Sequence, residues 1–150
     1  MDTIWKVLGV IGVLILAAIA SGIGKEVGRS AVKKYASDRN DGAVEEALRQ
    51  AAGQINRGLP MMVDQYTRMD STVPGPGKKL TYLYTLVSVN SADVSQQQLQ
   101  DALGTSVRNG VCTNRDMQFL VNSGVQFVYL YRGGDGGVIG DVVVNPQDCR

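Results

Sequence analysis

The hydrophobic positions are continuous at the start of the chain and periodic afterwards. Val7 to Ile23 (VLGVIGVLILAAIASGI) runs seventeen residues without a charge, and Ile4 and Trp5 extend it across Lys6. A helix from Ile4 to Ile23 is roughly 30 Å long, the thickness of a bilayer's hydrocarbon core. Trp5 and Lys6 are suited to the interface. The pattern predicts a transmembrane helix and juxtamembrane stalk over residues 1–35. Ala18-Ile19-Ala20 fits a signal-peptidase site, but no polar break precedes it, so an uncleaved anchor is expected. Ala20, Gly24 and Gly28 recur every four residues and give one small helical face, suited to helix packing and a homo-oligomer. The plainer explanation is that glycine is common in membrane helices.

Ser37 to Gly42 (SDRNDG) is a polar break, so residues 36–42 read as a linker and residues 43–150 as a soluble domain. Val44, Leu48, Ala51, Ile55 and Leu59 make a helical stripe that Gly58 and Pro60 stop. Met61–Met69 and Leu80–Val89 read as strands of one hairpin, with the prolines and glycines of Ser71–Lys78 as the turn. Ser95 and Gln98 match a capping box ahead of Leu99, Ala102, Leu103 and Val107, in a helix that Asn109-Gly110 ends. A third, short helix starts at Thr113 with Asp116 as its cap. Val125–Arg132 and Val138–Val144 form a second hairpin across a glycine loop. The order α-ββ-αα-ββ predicts an α+β domain with a four-stranded, mostly antiparallel sheet and helices on one face.

Charge changes this picture only at the membrane. The chain has 15 basic and 14 acidic residues, so nothing global attracts phosphate, and no nucleic-acid partner is expected. Residues 1–35 carry a balance of +3 and the remainder −2. The basic residues after the apolar run favour a cytoplasmic domain by the positive-inside rule. The cysteines point the other way. Cys112 and Cys149 are the only two, and a bridge closing their loop contributes roughly 3–4 kcal/mol in the chain-entropy model. A bridge implies an oxidising compartment; two buried free thiols are the alternative.

Candidate chemistry is sparse. There is no histidine, which removes Ser-His-Asp and Cys-His nucleophiles and every histidine-based metal site. Asp64 and Asp70, if on one strand, are roughly 20 Å apart, too far for paired carboxylates. Asp135 in its glycine loop precedes a strand rather than a helix, against a phosphate cradle. Asp135 and Asp141 offer too few oxygens for calcium. No cofactor, metal or catalytic residue is expected. Tyr82, Tyr84, Tyr129 and Tyr131, with Arg68 and Arg132 nearby, form a candidate binding face; the competing interpretation places the tyrosines beneath the helices or over the outer face of the sheet.

Val111-Cys112-Thr113, Met117, Leu120, Gly124-Val125, Tyr129, Tyr131, Gly137, Ile139 and Asp148-Cys149 resemble the pattern of small, uncharacterised bacterial envelope proteins. Leu59 to Asp64 has the same character. Those proteins pair an N-terminal apolar segment with a compact α+β domain; the lipid-anchored versions carry a cysteine after the apolar run that is missing here. The resemblance implies location rather than activity. The reading that follows is a non-enzymatic, single-pass inner-membrane protein whose domain faces the periplasm. It would be a binding or assembly subunit with a protein partner in the envelope. An immunity or superinfection-exclusion protein is the alternative.

Overall fold

The computed structural model of the protein describes residues 41–150. The helix expected over residues 1–35, residues 36–40 of the linker, and the Ala20, Gly24 and Gly28 face lie outside the described residues. Among the described residues no helix is long and apolar enough to cross a membrane.

The first amphipathic stripe forms helix α1 (Asp41–Asn56), burying Val44, Ala47, Leu48 and Ala52. The apolar run after Pro60 does not continue as one strand. Strand β1 is only Met61–Met62, and β2 runs Thr67–Pro74. Between them the Asp64 carboxylate accepts the backbone N–H groups of Tyr66 (2.7 Å) and Thr67 (2.9 Å), an Asx turn that folds β2 back on β1. β2 then extends into the stretch expected to be turn and ends at Pro74, a sheet-end position where the missing N–H costs no ladder bond. Strand β3 (Lys79–Leu86) completes the hairpin.

A short 3₁₀ turn (Ser91–Asp93) leads into α2 (Gln96–Thr113), whose start has the predicted capping box between Ser95 and Gln98. The helix does not stop at Asn109-Gly110. It continues to Thr113 because Val111, fully buried, prolongs the inward stripe of Leu99, Leu103 and Val107. The following helix α3 is correspondingly shorter and later than expected, at Gln118–Asn122 with Met117 as its cap. Strands β4 (Gln126–Gly133) and β5 (Val138–Val144) close the sheet, and a 3₁₀ turn (Pro146–Cys149) ends the chain.

The expected four-stranded, mostly antiparallel sheet is overturned by a five-stranded mixed sheet in the order β1-β2-β3-β4-β5. The central pair, β3 with β4, is parallel. The cause is the length of the connection. Residues 87–125 carry α2 and α3 back along the sheet, so β4 starts at the end where β3 started, whereas a tight turn would have forced an antiparallel pair. α1 packs on β2 and α2 on β5. Between them the inward side chains of β3 and β4 fill the core: Leu80, Tyr82, Tyr84, Leu86, Phe127, Tyr129 and Tyr131, each at most 4% exposed.

Candidate interaction surface

Strand alternation decides which side chains a partner can reach, and it separates residues that sequence order brought together. Tyr82, Tyr84, Tyr129 and Tyr131 all point inward. Their rings stack in a ladder across the parallel pair, with centroids 5.0 Å apart for Tyr82–Tyr129 and 5.4 Å for Tyr84–Tyr131. As placed, they present no surface to a ligand, and the candidate binding face becomes the centre of the core. Burial raises the pKa of each phenol. Among the described residues the buried hydroxyls of Tyr84, Tyr129 and Tyr131 have no hydrogen-bond partner.

Arg68 and Arg132 lie on the opposite face of the sheet, as their positions relative to the tyrosines require in a period-two strand. The register aligns Met62, Arg68, Thr85, Arg132 and Val138 in one row across all five strands. The next row is Ser71, Leu83, Leu130 and Asp141; the third is Val73, Thr81, Val128 and Val143. This outer face therefore carries an aliphatic band of Val73, Leu83, Val128, Leu130 and Val143. None of them belongs to the buried core cluster, and Val73 is 46% exposed. Lys79 borders the band at one end and Arg132 at the other. Arg68 is held at the border by Asp70, with Nε to Oδ1 2.5 Å, and Asp70 also accepts the Thr85 hydroxyl. Asp70 reaches that face because the ladder slips between Met69 and Ser71.

The other singled-out acids serve structure. Asp64 forms the Asx turn described above. Asp135 accepts Ser91 N–H (3.0 Å) and the Ser91 hydroxyl (2.8 Å), clasping the β4–β5 turn to the 3₁₀ turn before α2. These bonds lower the carboxyl's pKa, the Ser91 hydroxyl most. Gly137 permits the clasp, since a Cβ there would fall on the Ser91 hydroxyl. Among the described residues no three acids or cysteines gather into a metal-binding group.

Cys112 and Cys149 do meet, in a disulfide with Cα atoms 5.0 Å apart. It joins the last turn of α2 to the C-terminal 3₁₀ turn. The sequence does not single out the aliphatic outer face, because its β4 and β5 residues read as ordinary strand formers. Its signal was present: the strands are apolar on both faces, beyond what one covered face needs.

Three solved structures share this fold. A protein of Pseudomonas aeruginosa thought to be secreted, PA3611, matches with a TM-score of 0.63 at 14% identity, over 73% of this chain and 96% of that one. The type II secretion system pilotin EpsS of Vibrio vulnificus matches with a TM-score of 0.58 at 14% identity, over 73% and 94%. The type II secretion system pilotin AspS of Vibrio cholerae matches with a TM-score of 0.53 at 17% identity, over 77% and 99%. No curated protein sequence matches the chain. Residues 43–139 match the family model described as a domain of unknown function, DUF8479. That match spans well over half of the chain, from the first turn of α1 into β5, and the protein belongs to the DUF8479 family.

Proposed function

We propose that this domain is a non-enzymatic binding module of the bacterial envelope that helps to assemble a secretion apparatus. It would do so by holding a segment of one of the apparatus proteins against the outer face of the sheet. The observation that carries this reading is the fold shared with two type II secretion pilotins along nearly their whole length. A fold alone leaves function open, so the surface chemistry has to agree with it. The aliphatic band has a polar border at both ends, the layout of a protein-docking surface with an apolar centre and a charged rim. The disulfide supports a location outside the cytoplasm, where such a bond persists. That compartment suits a periplasmic domain.

The test is site-specific photocrosslinking in the native host, with the photoreactive residue at Val128 or Leu130, followed by identification of the trapped protein. The expected result is a component of a secretion apparatus, together with a secretion defect on Leu130→Asp while the purified variant keeps its circular dichroism. Unchanged secretion in that variant, with no apparatus protein trapped, would overturn the proposal.

A further inference from the structure

Both edges of the sheet end on the same device. In an antiparallel ladder every second residue of an edge strand turns its N–H and its C=O outward together. At Thr72 in β2, beyond the two residues that β1 covers, those groups are taken by one side chain. Thr72 N–H donates to Asn56 Oδ1 (2.7 Å), and Asn56 Nδ2 donates to Thr72 O (2.8 Å). At Asp141 in β5 the pattern recurs. Asp141 N–H donates to Gln96 Oε1 (2.9 Å), while Gln96 Nε2 (2.8 Å) and Gln100 Nε2 (2.7 Å) both donate to Asp141 O. A side-chain amide supplies the same donor and acceptor as a backbone peptide, so each cap makes the pair of bonds a neighbouring strand would make. Asn56 comes from the end of α1, and Gln96 and Gln100 from consecutive turns of α2.

We infer that Asn56 and the Gln96/Gln100 pair act as surrogate strands that close the two sheet edges to strand addition. On the β5 side, the occupant they exclude is a second copy of this chain. β5 is VIGDVVV, five β-branched aliphatic residues in seven, with a single charge. Such a segment pairs readily with itself when its edge is bare, and a strand meeting its own copy antiparallel gives a closed two-fold dimer. Gly140 belongs to the same device. A Cβ there would fall on Gln96 Oε1, so the absence of a side chain is what lets the amide lie against the strand. Asp141 has its neighbours and its backbone fully engaged in this arrangement, and its side chain faces the outer sheet surface in the row of Leu83 and Leu130.

The experiment uses the full chain with Gln96→Ala and Gln100→Ala together, and the unmodified chain beside it so that association through other segments cancels. Gln97→Ala is the control, because among the described residues the Gln97 side chain bonds Asp101, on its own helix and away from the strand edge. Amide hydrogen exchange at Asp141 and mass by light scattering are followed over a concentration series. In dilute solution the double variant is expected to exchange the Asp141 amide about two- to ten-fold faster, the worth of one net hydrogen bond. At high concentration it is expected to form a dimer that the unmodified chain does not form, with the Asp141 amide protected again. Unchanged exchange at Asp141 would overturn the inference, and so would a double variant that stays at the mass of the unmodified chain throughout. If the double variant fails to fold, Gln96→Ala alone, which removes the acceptor of the Asp141 N–H and leaves Gln100 on the Asp141 carbonyl, carries the same two readouts. Asn56→Ala reports the other edge through the Thr72 amide.

Discussion

Removing the Cys112–Cys149 bridge is the perturbation whose size the structure allows to be worked out. The cysteines are separated by 37 residues, and the loop between them contains the end of α2, α3 and both strands β4 and β5. In the chain-entropy model, opening a loop of that length frees the unfolded chain by about 13 cal/mol/K, or about 3.8 kcal/mol at 25 °C. A domain of this size holds only about 5–15 kcal/mol of total stability, so the bridge accounts for a large fraction of it. Cys112→Ala with Cys149→Ala removes two half-buried sulfurs that pack against the core cluster, which adds to the loss. The expected result is a fall of about 3–4 kcal/mol in unfolding free energy, read by urea denaturation of the double variant against the oxidised parent. Reduction of the parent should reproduce most of it. At a few degrees per kcal/mol, Tm should drop by roughly 15–20 °C. A loss below about 1 kcal/mol with an unchanged denaturant slope would refute the reasoning, because it would mean the bridge does not restrict the unfolded chain by the entropy of its loop.

The tyrosine ladder gives two further expectations. Tyr84→Phe, Tyr129→Phe and Tyr131→Phe each delete a hydroxyl buried without a partner, so each should be neutral or stabilising by about 1 kcal/mol in equilibrium denaturation. A loss beyond that range in any of them would show that its hydroxyl is hydrogen-bonded. The four core phenols have pKa values raised by burial above the ordinary 10.0, so the native state keeps protons that the unfolded chain releases. Stability should therefore hold up to about pH 10 and fall as pH rises past it. Tyrosinate absorbance from these four rings should appear only with the loss of near-ultraviolet circular dichroism, and its appearance in the still-folded protein would contradict their burial.

Local chemistry was legible where it is written in neighbouring residues. Ser95 and Gln98 cap α2 as their spacing predicts, and Leu99, Leu103 and Val107 face inward. The even positions Leu80, Tyr82, Tyr84 and Leu86 share a face, and the parity that set Tyr131 against Arg132 was equally readable. What could not be read was contact between distant segments. A hairpin and a helical crossover leave the same strand residues in sequence, and the length of the crossover, rather than the strands, sets β3 and β4 parallel. Asp64 looked like a strand polar because its Asx turn depends on how the chain folds back at Thr67. Two cysteines imply one pairing, but nothing in the sequence brings Cys149 to the end of α2. The edge amides were invisible for the same reason: Asn56 and Gln96 look like ordinary surface residues until a strand edge lies beside them.

The parallel pair at the centre of the sheet has a consequence for how the protein reaches its native state. Each residue of β3 meets a β4 residue that lies beyond the entire α2–α3 crossover. The β2–β3 and β4–β5 hairpins can each form locally, but the tyrosine ladder belongs half to one and half to the other. Neither half buries its aromatic face until the long loop between them closes, and the entropy of that closure comes before its reward. The chain should therefore fold late in its own synthesis, with its most aromatic surface uncovered until β4 emerges. A fragment that ends before β4 would carry half a ladder with its partner rings missing.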